Sequence, residues 1–262
     1  MNQFELKIVE KTKISPDTFI FKFAIPNEEW LSGLILAKHY KFFMPGKEEG
    51  EWVGRMYTPI SPITQKGTID FVIKLYGKTA EFPEGGKMSA YLETKNVGDT
   101  VRMEGPMGKI TYKGNGEFNI RQVGDRKATK IGMLAGGSGI TPLYSLLNGL
   151  YLSKDSSITQ AHLVYSNKTE DDILIRKELD KINDDPNAPH LGVTHTLTRL
   201  PEGKTVEGVK TGRISIEMLQ SIPGWPAPGD DVIILGCGPK AFNQSNKALL
   251  IAAGYKEENI FP

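Results

Sequence analysis

Cysteine is nearly absent from this sequence: Cys237 stands alone among 262 residues. No intrachain disulfide can form, which sets aside the disulfide-built scaffolds and fits a reducing compartment. Histidine is scarce too. His39, His162, His190 and His195 show no metal-ligand spacing, so no metal is expected. An excess of charge of one sign is missing, with 32 Lys and Arg against 31 Asp and Glu. That excludes the strong basic surplus of a general nucleic-acid binder but leaves room for a local patch facing an acidic partner. Long apolar runs are lacking as well. Ala248 to Ala253 is the most apolar stretch, far short of the about 20 residues that span a bilayer. Met1 to Glu10 holds no apolar run of signal-peptide length. No repeat or low-complexity segment is present. The expectation is a soluble, cytoplasmic, monomeric protein without a membrane span.

What is present is ordinary globular material, 39% hydrophobic and 24% charged, in a chain long enough for two domains. The first half reads as strands. Thr18 to Phe23 and Ile69 to Tyr76 are rich in β-formers and bounded by turn residues such as Ser15-Pro16, Pro26-Asn27 and Lys66-Gly67. Short strands between Gly and Pro turns predict an antiparallel barrel over residues 1–112. Residues 113–128 are polar and glycine-containing and read as a linker. From residue 129 strand and helix signals alternate. Strands are expected at Ile131–Leu134, Ala161–Tyr165, Val193–Leu197 and Val232–Leu235. Helices are expected at Leu143–Leu152, Asp172–Ile182, Ile214–Gln220 and Lys240–Ala253. This alternation predicts an α/β domain with a mainly parallel sheet, whose ligands sit beyond the carboxyl ends of the strands.

Four motifs carry chemistry. Leu134 to Pro142 reads Leu-Ala-Gly-Gly-Ser-Gly-Ile-Thr-Pro, a strand end, a glycine turn and a helix start. Gly136, Gly137 and Gly139 let backbone approach a phosphate, Thr141 can cap the helix and Pro142 fits its first turn. The run departs from G-x-G-x-x-G because Pro142 replaces the third glycine, and such a turn also occurs with no ligand. Leu235-Gly-Cys-Gly-Pro239 is a second strand-to-helix turn, and two such turns can flank one crevice. Cys237 is read as a small buried residue rather than a nucleophile. Arg55 to Ser61, Arg-Met-Tyr-Thr-Pro-Ile-Ser, offers a guanidinium for a pyrophosphate, a flat ring at Tyr57 and a hydroxyl at Thr58. An edge arginine beside a core tyrosine would look the same. Gly85 to Leu92 places two glycines before a helix start, where free amides can meet an anion.

In this order and spacing the four motifs resemble the ferredoxin–NADP reductase superfamily, and within it the NADH–cytochrome b5 reductase family. Gly98-Asp99, Glu104-Gly-Pro106 and Asn167 to Ile173 extend the likeness over essentially the whole chain, from Phe4 to Phe261. The resemblance implies an FAD-binding barrel followed by an NAD(P)H-binding domain. It implies that hydride passes from NADH to FAD and single electrons go on to cytochrome b5 or a similar small acidic haem protein. Arg55, Tyr57 and Thr58 match the FAD-binding segment, with Thr58 near the reactive edge of the flavin. Val72, Lys74 and Tyr76 match a strand lining it, and Lys74 also approaches the nicotinamide nucleotide. Gly86, Lys87, Met88 and Ser89 match the pyrophosphate loop. Thr141 matches a hydroxyl beside the flavin. Gly137, Cys237, Gly238 and Pro239 match the nicotinamide side, with Cys237 near the hydride path. Among these, Thr58, Lys74 and Cys237 are the expected catalytic positions. His39 matches a histidine of the barrel and is read as structural.

Two departures bear on the coenzyme. Animal members of the family have Leu-Asp-Arg where this chain has Leu197-Thr-Arg199. Thr198 removes a carboxylate that would repel a 2′-phosphate, and Arg199 can attract one. Lys168, where glutamine is common, adds positive charge. NADH is expected as the donor, with NADPH tolerated. Phe261 stands where the family often ends in an aromatic residue. The basic rim expected for an acidic partner has Lys38, Lys41 and Lys87 as candidates. Acidic pairs such as Asp184-Asp185 and Asp230-Asp231 are read as solvated turns. Other readings remain: the reductase part of a nitrate-reductase-like or oxygenase system, or a flavin- or nucleotide-binding regulatory module without turnover.

Overall fold

The computed structural model describes residues 3–29, 35–78, 83–201 and 203–262. The chain forms two compact units, Met1–Lys109 and Ile110–Pro262. In the first, the strands are β1 (Phe4–Ser15), β2 (Thr18–Ala24), β3 (His39–Pro45), β4 (Trp52–Tyr57), β5 (Thr68–Lys74) and, after helix α1 (Lys87–Glu93), β6 (Thr100–Met107). They make one six-stranded sheet in the order β4-β3-β6-β1-β2-β5, antiparallel at every pairing.

Period-two alternation sends Phe21 and Phe23 of β2 inward and leaves Lys22 at the surface side. The sheet curls on itself. Phe42 of β3 and Phe71 of β5 lie four strands apart in the order, yet their ring centroids are 4.8 Å apart. Phe23 meets both rings edge-on, and Met88 and Leu92 of α1 cover the same core. Past β4, Ile60 N donates to Asp70 O at 2.9 Å, and Asp70 N donates to Ser61 Oγ at 3.1 Å. The segment after Tyr57 therefore runs along the free edge of β5.

The second unit opens with a three-stranded antiparallel meander of β7 (Ile110–Gly114), β8 (Glu117–Ile120) and β9 (Gly124–Lys127). Residues 113–128 are thus mostly strand, not the expected linker, and the division falls at Lys109 rather than after 112. Their glycines close hairpin turns, which polar composition alone does not separate from a loop. The meander is fastened by Asp155, which accepts from the Tyr112 hydroxyl and, at 2.9 Å, from Asn115 N.

The rest is a parallel α/β unit. Its elements are β10 (Lys130–Gly136), α2 (Ile140–Ser153), β11 (Gln160–Asn167), α3 (Arg176–Asn183), β12 (Leu191–Leu197), β13 (Val209–Thr211), α4 (Ile216–Gln220), β14 (Val232–Cys237), α5 (Lys240–Ala252) and β15 (Ile260–Phe261). The sheet order is β13-β12-β11-β10-β14-β15. From β10 the chain winds to one side through β11, β12 and β13, then returns to add β14 and β15 on the other. The reversal lies between β10 and β14, which pair in parallel as far as Ala135 and Cys237.

The helix expected at 172–182 begins later. Thr169 and Asp172 close a capping box around a short 3-10 turn, Leu174 N donates to the buried Tyr165 hydroxyl, and Ile175 takes a left-handed conformation (φ +49°) before α3. Thr141 does not cap α2. The helix starts at Ile140 behind Gly139, and the Thr141 hydroxyl lies 3.4 Å from Ser138 O. The acidic pairs are bonded rather than merely solvated: Asp231 accepts from Thr129 Oγ1 at 2.7 Å and Asp185 from the Tyr151 hydroxyl at 2.7 Å.

His162, on β11, is buried with Nε2 2.9 Å from Thr194 Oγ1. Burial lowers its pKa from 6.5 to about 4. The folded state therefore favours the neutral ring, so this stability is present above pH 6.5 and is lost as pH falls from 6.5 toward 4. Acid unfolding of the second unit should begin near pH 6, with His162 contributing up to about 3 kcal/mol. His162→Gln should flatten the decline between pH 6.5 and 4.5 in thermal melts; an unchanged slope would refute the assignment.

Candidate functional site

In the first unit, two hydrogen bonds tie the end of β5 to the start of α1. Tyr76 N donates to Ser89 Oγ at 3.0 Å, and Gly86 N donates to Tyr76 O at 2.7 Å. Gly86 precedes α1 in extended conformation, and a Cβ there would fall 2.6 Å from Ser89 Oγ and 3.2 Å from the Tyr76 Cβ. The glycine is required by close approach, not by its φ. Ser89 and Met88 are buried, whereas Lys87 is exposed.

Tyr57, at the end of β4, packs its ring on Phe42 with centroids 4.8 Å apart. Burial first, then the neighbouring Tyr76, pushes its phenol up to about 12, with Arg55 opposing. Arg55 is exposed and donates to Gly54 O at 2.8 Å. Thr58 is buried. Val72 and Lys74 share the face of β5 opposite its core residues Phe71 and Ile73; Val72 is buried, and Lys74 pairs with Asp17 at 3.1 Å. Arg55, Tyr57 and Thr58 thus belong to one edge strand of the barrel sheet and its continuation, and Val72, Lys74, Tyr76 and Gly86–Ser89 to the other edge strand and the helix start after it, two edges that the curl of the sheet and the Ile60–Asp70 bond bring together. Ser89 was expected to face a ligand, yet its hydroxyl also holds the Tyr76 backbone, a long-range link that spacing does not reveal.

In the second unit both glycine turns lie at the carboxyl ends of β10 and β14, where the winding reverses. Crevices at such switch points are where open α/β sheets take their ligands. Gly137 has φ +54°, and nothing lies within 4 Å of where its Cβ would be. Its backbone faces open space in a conformation that side chains rarely adopt. Gly139 is the opposite case: a Cβ there would fall 2.2 Å from Cys237 O and 2.8 Å from Gly238 N. The two turns touch through this glycine. The Phe242 ring of α5 closes over Gly136 and Gly238 from the other side. Sequence reading missed Phe242, whose only signal is an aromatic residue in the first turn of a helix that follows Gly-Pro.

Cys237 is half-buried, and burial raises its thiol pKa, so it stays protonated at neutral pH. Pro239 is exposed immediately before α5, and Thr141 is buried in the first turn of α2. Thr198, just past β12, bonds to the neighbouring strand: its N and its Oγ1 both donate to Asn167 O, at 2.9 and 3.2 Å. Arg199 N donates to Lys168 O at 2.9 Å. Thr198, Arg199 and Lys168 are exposed at one corner of the sheet, above the buried and unpaired side-chain amide of Asn167. Of the lysines expected to form a basic rim, Lys38 is engaged internally. Its ammonium donates to Gly108 O at 3.0 Å, and burial lowers its pKa. His39 beside it is half-buried, its pKa lowered by burial and by Lys38.

These features fit the groups they would hold. The second unit offers bare, open backbone at Gly137 and cations at its far corner, suited to a dinucleotide. The first offers a flat ring at Tyr57, an exposed guanidinium and a close-packed glycine at a helix start, suited to a flavin with its diphosphate. The model of the Oxidoreductase FAD-binding domain family matches residues 5–112, and that of the Oxidoreductase NAD-binding domain family matches residues 133–247. Bovine (Bos taurus) NADH-cytochrome b5 reductase 1 is 37% identical over 247 residues, 90% of this chain and 77% of that protein. Nitrate reductase [NADH] 1 of Oryza sativa subsp. japonica is 37% identical over 89% of this chain but only 25% of its own length. The crystal structure of the cytochrome b5 reductase domain of Ulva prolifera nitrate reductase superposes with a TM-score of 0.88 at 31% identity, covering 99% of this chain and 97% of that one.

Fold and matches together define a two-domain flavin oxidoreductase, an FAD-binding domain followed by a NAD-binding domain. Within that class, the chain belongs to the NADH-cytochrome b5 reductase family.

Proposed function

We propose that the protein takes hydride from NADH onto FAD and delivers electrons singly to cytochrome b5. The observation that carries this reading is the pair of touching glycine turns at the switch point of the parallel sheet, in a chain whose other unit presents a flavin-sized set of side chains. When bound, FAD supplies the conversion of a two-electron donor to one-electron delivery. The residues bind and orient. Arg55 and Lys87 would hold the FAD diphosphate, with the backbone from Gly86 through Met88 to Ser89. Tyr57, Val72 and Tyr76 present ring and apolar surface to the flavin. Thr58 offers a hydroxyl, and Lys74 a cation steadied by Asp17. In the second unit, Gly137, Gly238 and Pro239 would meet the coenzyme, with Cys237 alongside. Hydride transfer requires no acid–base pair. The phenol of Tyr57, pushed up to about 12, and the thiol of Cys237, raised by burial, stay neutral and pack without adding charge.

Exposed Lys87 and half-buried Lys41, whose ammonium lies over the Phe43 ring, suit a small acidic haem protein as acceptor, met by a monomer in the cytoplasm. Among the described residues no helix is long and apolar enough to cross a membrane. A second reading, reduction of the haem domain of a nitrate-reductase-like system, is supported by the likeness to the plant and algal enzymes. Purified cytochrome b5 and a nitrate-reductase haem domain, offered as alternative acceptors, separate the two.

The deciding experiment is an anaerobic titration of the FAD-loaded protein with each coenzyme. NADH should bleach the flavin absorbance, and NADPH should bleach it too. Absorbance unchanged by either would make the protein a binding module without turnover. Thr198→Asp should lower kcat/KM for NADPH by about tenfold through charge repulsion and affect NADH less. A large NADH preference that Thr198→Asp leaves unchanged would sink the role given to this corner.

A further inference from the structure

We propose that Lys11 is a positioning residue for FAD, acting through the far end of helix α1. The inference rests on the reading that Gly86–Ser89 holds the FAD diphosphate. Lys11 lies on β1, outside every motif that carries the family likeness. Its ammonium donates to Lys95 O at 2.7 Å, to Glu93 O at 2.9 Å and to Leu92 O at 3.4 Å. The ammonium therefore gathers the carbonyls of the last two residues of α1 and of Lys95 just beyond its cap. The same ammonium lies over the rings of Phe19 and Phe21, 5.3 Å from each centroid.

A surface lysine has no reason to be held this way. Burial lowers the pKa of Lys11, partly offset by Glu93 and Asp99, so the charge is kept in a place that opposes it. The carbonyls offset that penalty. The last turn of a helix exposes unpaired C=O groups with a partial negative charge, which a cation satisfies and neutralises.

α1 needs such an anchor because it spans only Lys87 to Glu93. Helices this short do not persist on their own backbone bonds. Neither side-chain capping at Gly86 nor a basic residue in its own last turn supports it. Among the described residues it is fixed from elsewhere by Met88 and Leu92 in the barrel core, by the bonds of Gly86 N and the Ser89 hydroxyl with the Tyr76 backbone, and by Lys11 at its far end. Lys11 holds one end of the helix and thereby sets the other, where the backbone meets the diphosphate. Pre-placing those groups removes an ordering cost from FAD binding.

The test measures two quantities on the full-length protein: the FAD dissociation constant of the apoprotein, by flavin fluorescence quenching, and amide hydrogen exchange across α1 in the absence of FAD. Lys11→Met keeps an unbranched apolar side chain but removes the charge. FAD should bind about tenfold more weakly, the loss of a charged hydrogen-bonded group. Exchange across α1 should accelerate while β2 and β5 keep their protection. Lys11→Arg should recover most of both effects. Unchanged FAD affinity in Lys11→Met, or weakening only in step with lost protection of β2 and β5, would overturn the positioning role. Gly86→Val serves as the control on the premise. If it leaves FAD affinity intact, the segment is not the diphosphate site and the proposal falls with it. If it weakens binding and Lys11→Met does not, only the role of Lys11 falls.

Discussion

Gly139→Ala should leave a yellow protein that NADH can barely reduce. The added Cβ would lie 2.2 Å from Cys237 O and 2.8 Å from Gly238 N, both backbone atoms that no rotamer change can clear. One turn must move away from the other. Because the two turns jointly form the rim of the switch-point crevice, the shift displaces the surface that receives the coenzyme. A displacement near 1 Å at a reacting centre costs about a hundredfold in rate, and kcat/KM for NADH should fall at least that far. Overpacking should also lower the stability of the second unit by about 1–3 kcal/mol. The bound FAD belongs to the other unit and should remain. Stopped-flow reduction under anaerobic conditions, with FAD content measured on the same sample, reads both. Reduction at the unaltered rate would mean that the turns are not the coenzyme site.

The second large effect is expected on the flavin. Gly86→Val should yield a folded, colourless apoprotein. Its Cβ would meet Ser89 Oγ at 2.6 Å, and the branched methyls would press on Tyr76. Ser89 would have to turn away, breaking its bond from Tyr76 N. That bond and the one from Gly86 N are the two that align the end of β5 with α1. With both disturbed, FAD affinity should fall about a hundredfold or more, since the diphosphate backbone and the flavin-lining strand lose their common register. Phe21, Phe23, Phe42 and Phe71 take no part in these two hydrogen bonds, so far-ultraviolet circular dichroism should match the parent. A variant that purifies with full flavin content would show that the segment does not hold FAD.

The parts legible in the sequence share one property: the reason for each residue is local. Thr18 to Ala24 alternates because a strand alternates, and the β10 and β14 turns carry glycine because their own backbone must pack closely. The family likeness worked for the same reason, resting on short runs in fixed order. Reading went astray where a local signal met a distant partner. Residues 113–128 look like a linker, but Asp155 pins Tyr112 and Asn115 and makes them a meander. Asp172 to Ile182 has the pattern of one helix, but the buried hydroxyl of Tyr165 takes Leu174 N and delays the helix start to Arg176. Thr141 has the chemistry of a cap, yet the 3-10 turn through Gly137–Gly139 starts the helix ahead of it. Lys38 has the composition of a free surface cation, and Gly108 O binds it.

The sequence by itself determined the class of each unit, the order of the two units, the glycine turns and the side chains suited to a flavin and a dinucleotide. Those follow from periodicity, from residues that only certain turns accept, and from donors of fixed chemistry. The tertiary structure alone decided that both glycine turns meet at one reversal of a sheet, that Phe242 locks them, that Ser89 serves the backbone of Tyr76, and that Lys11 closes a helix more than 80 residues away. Each is a contact between segments far apart in the chain, fixed by how the strands order themselves, and no window of the sequence contains both partners.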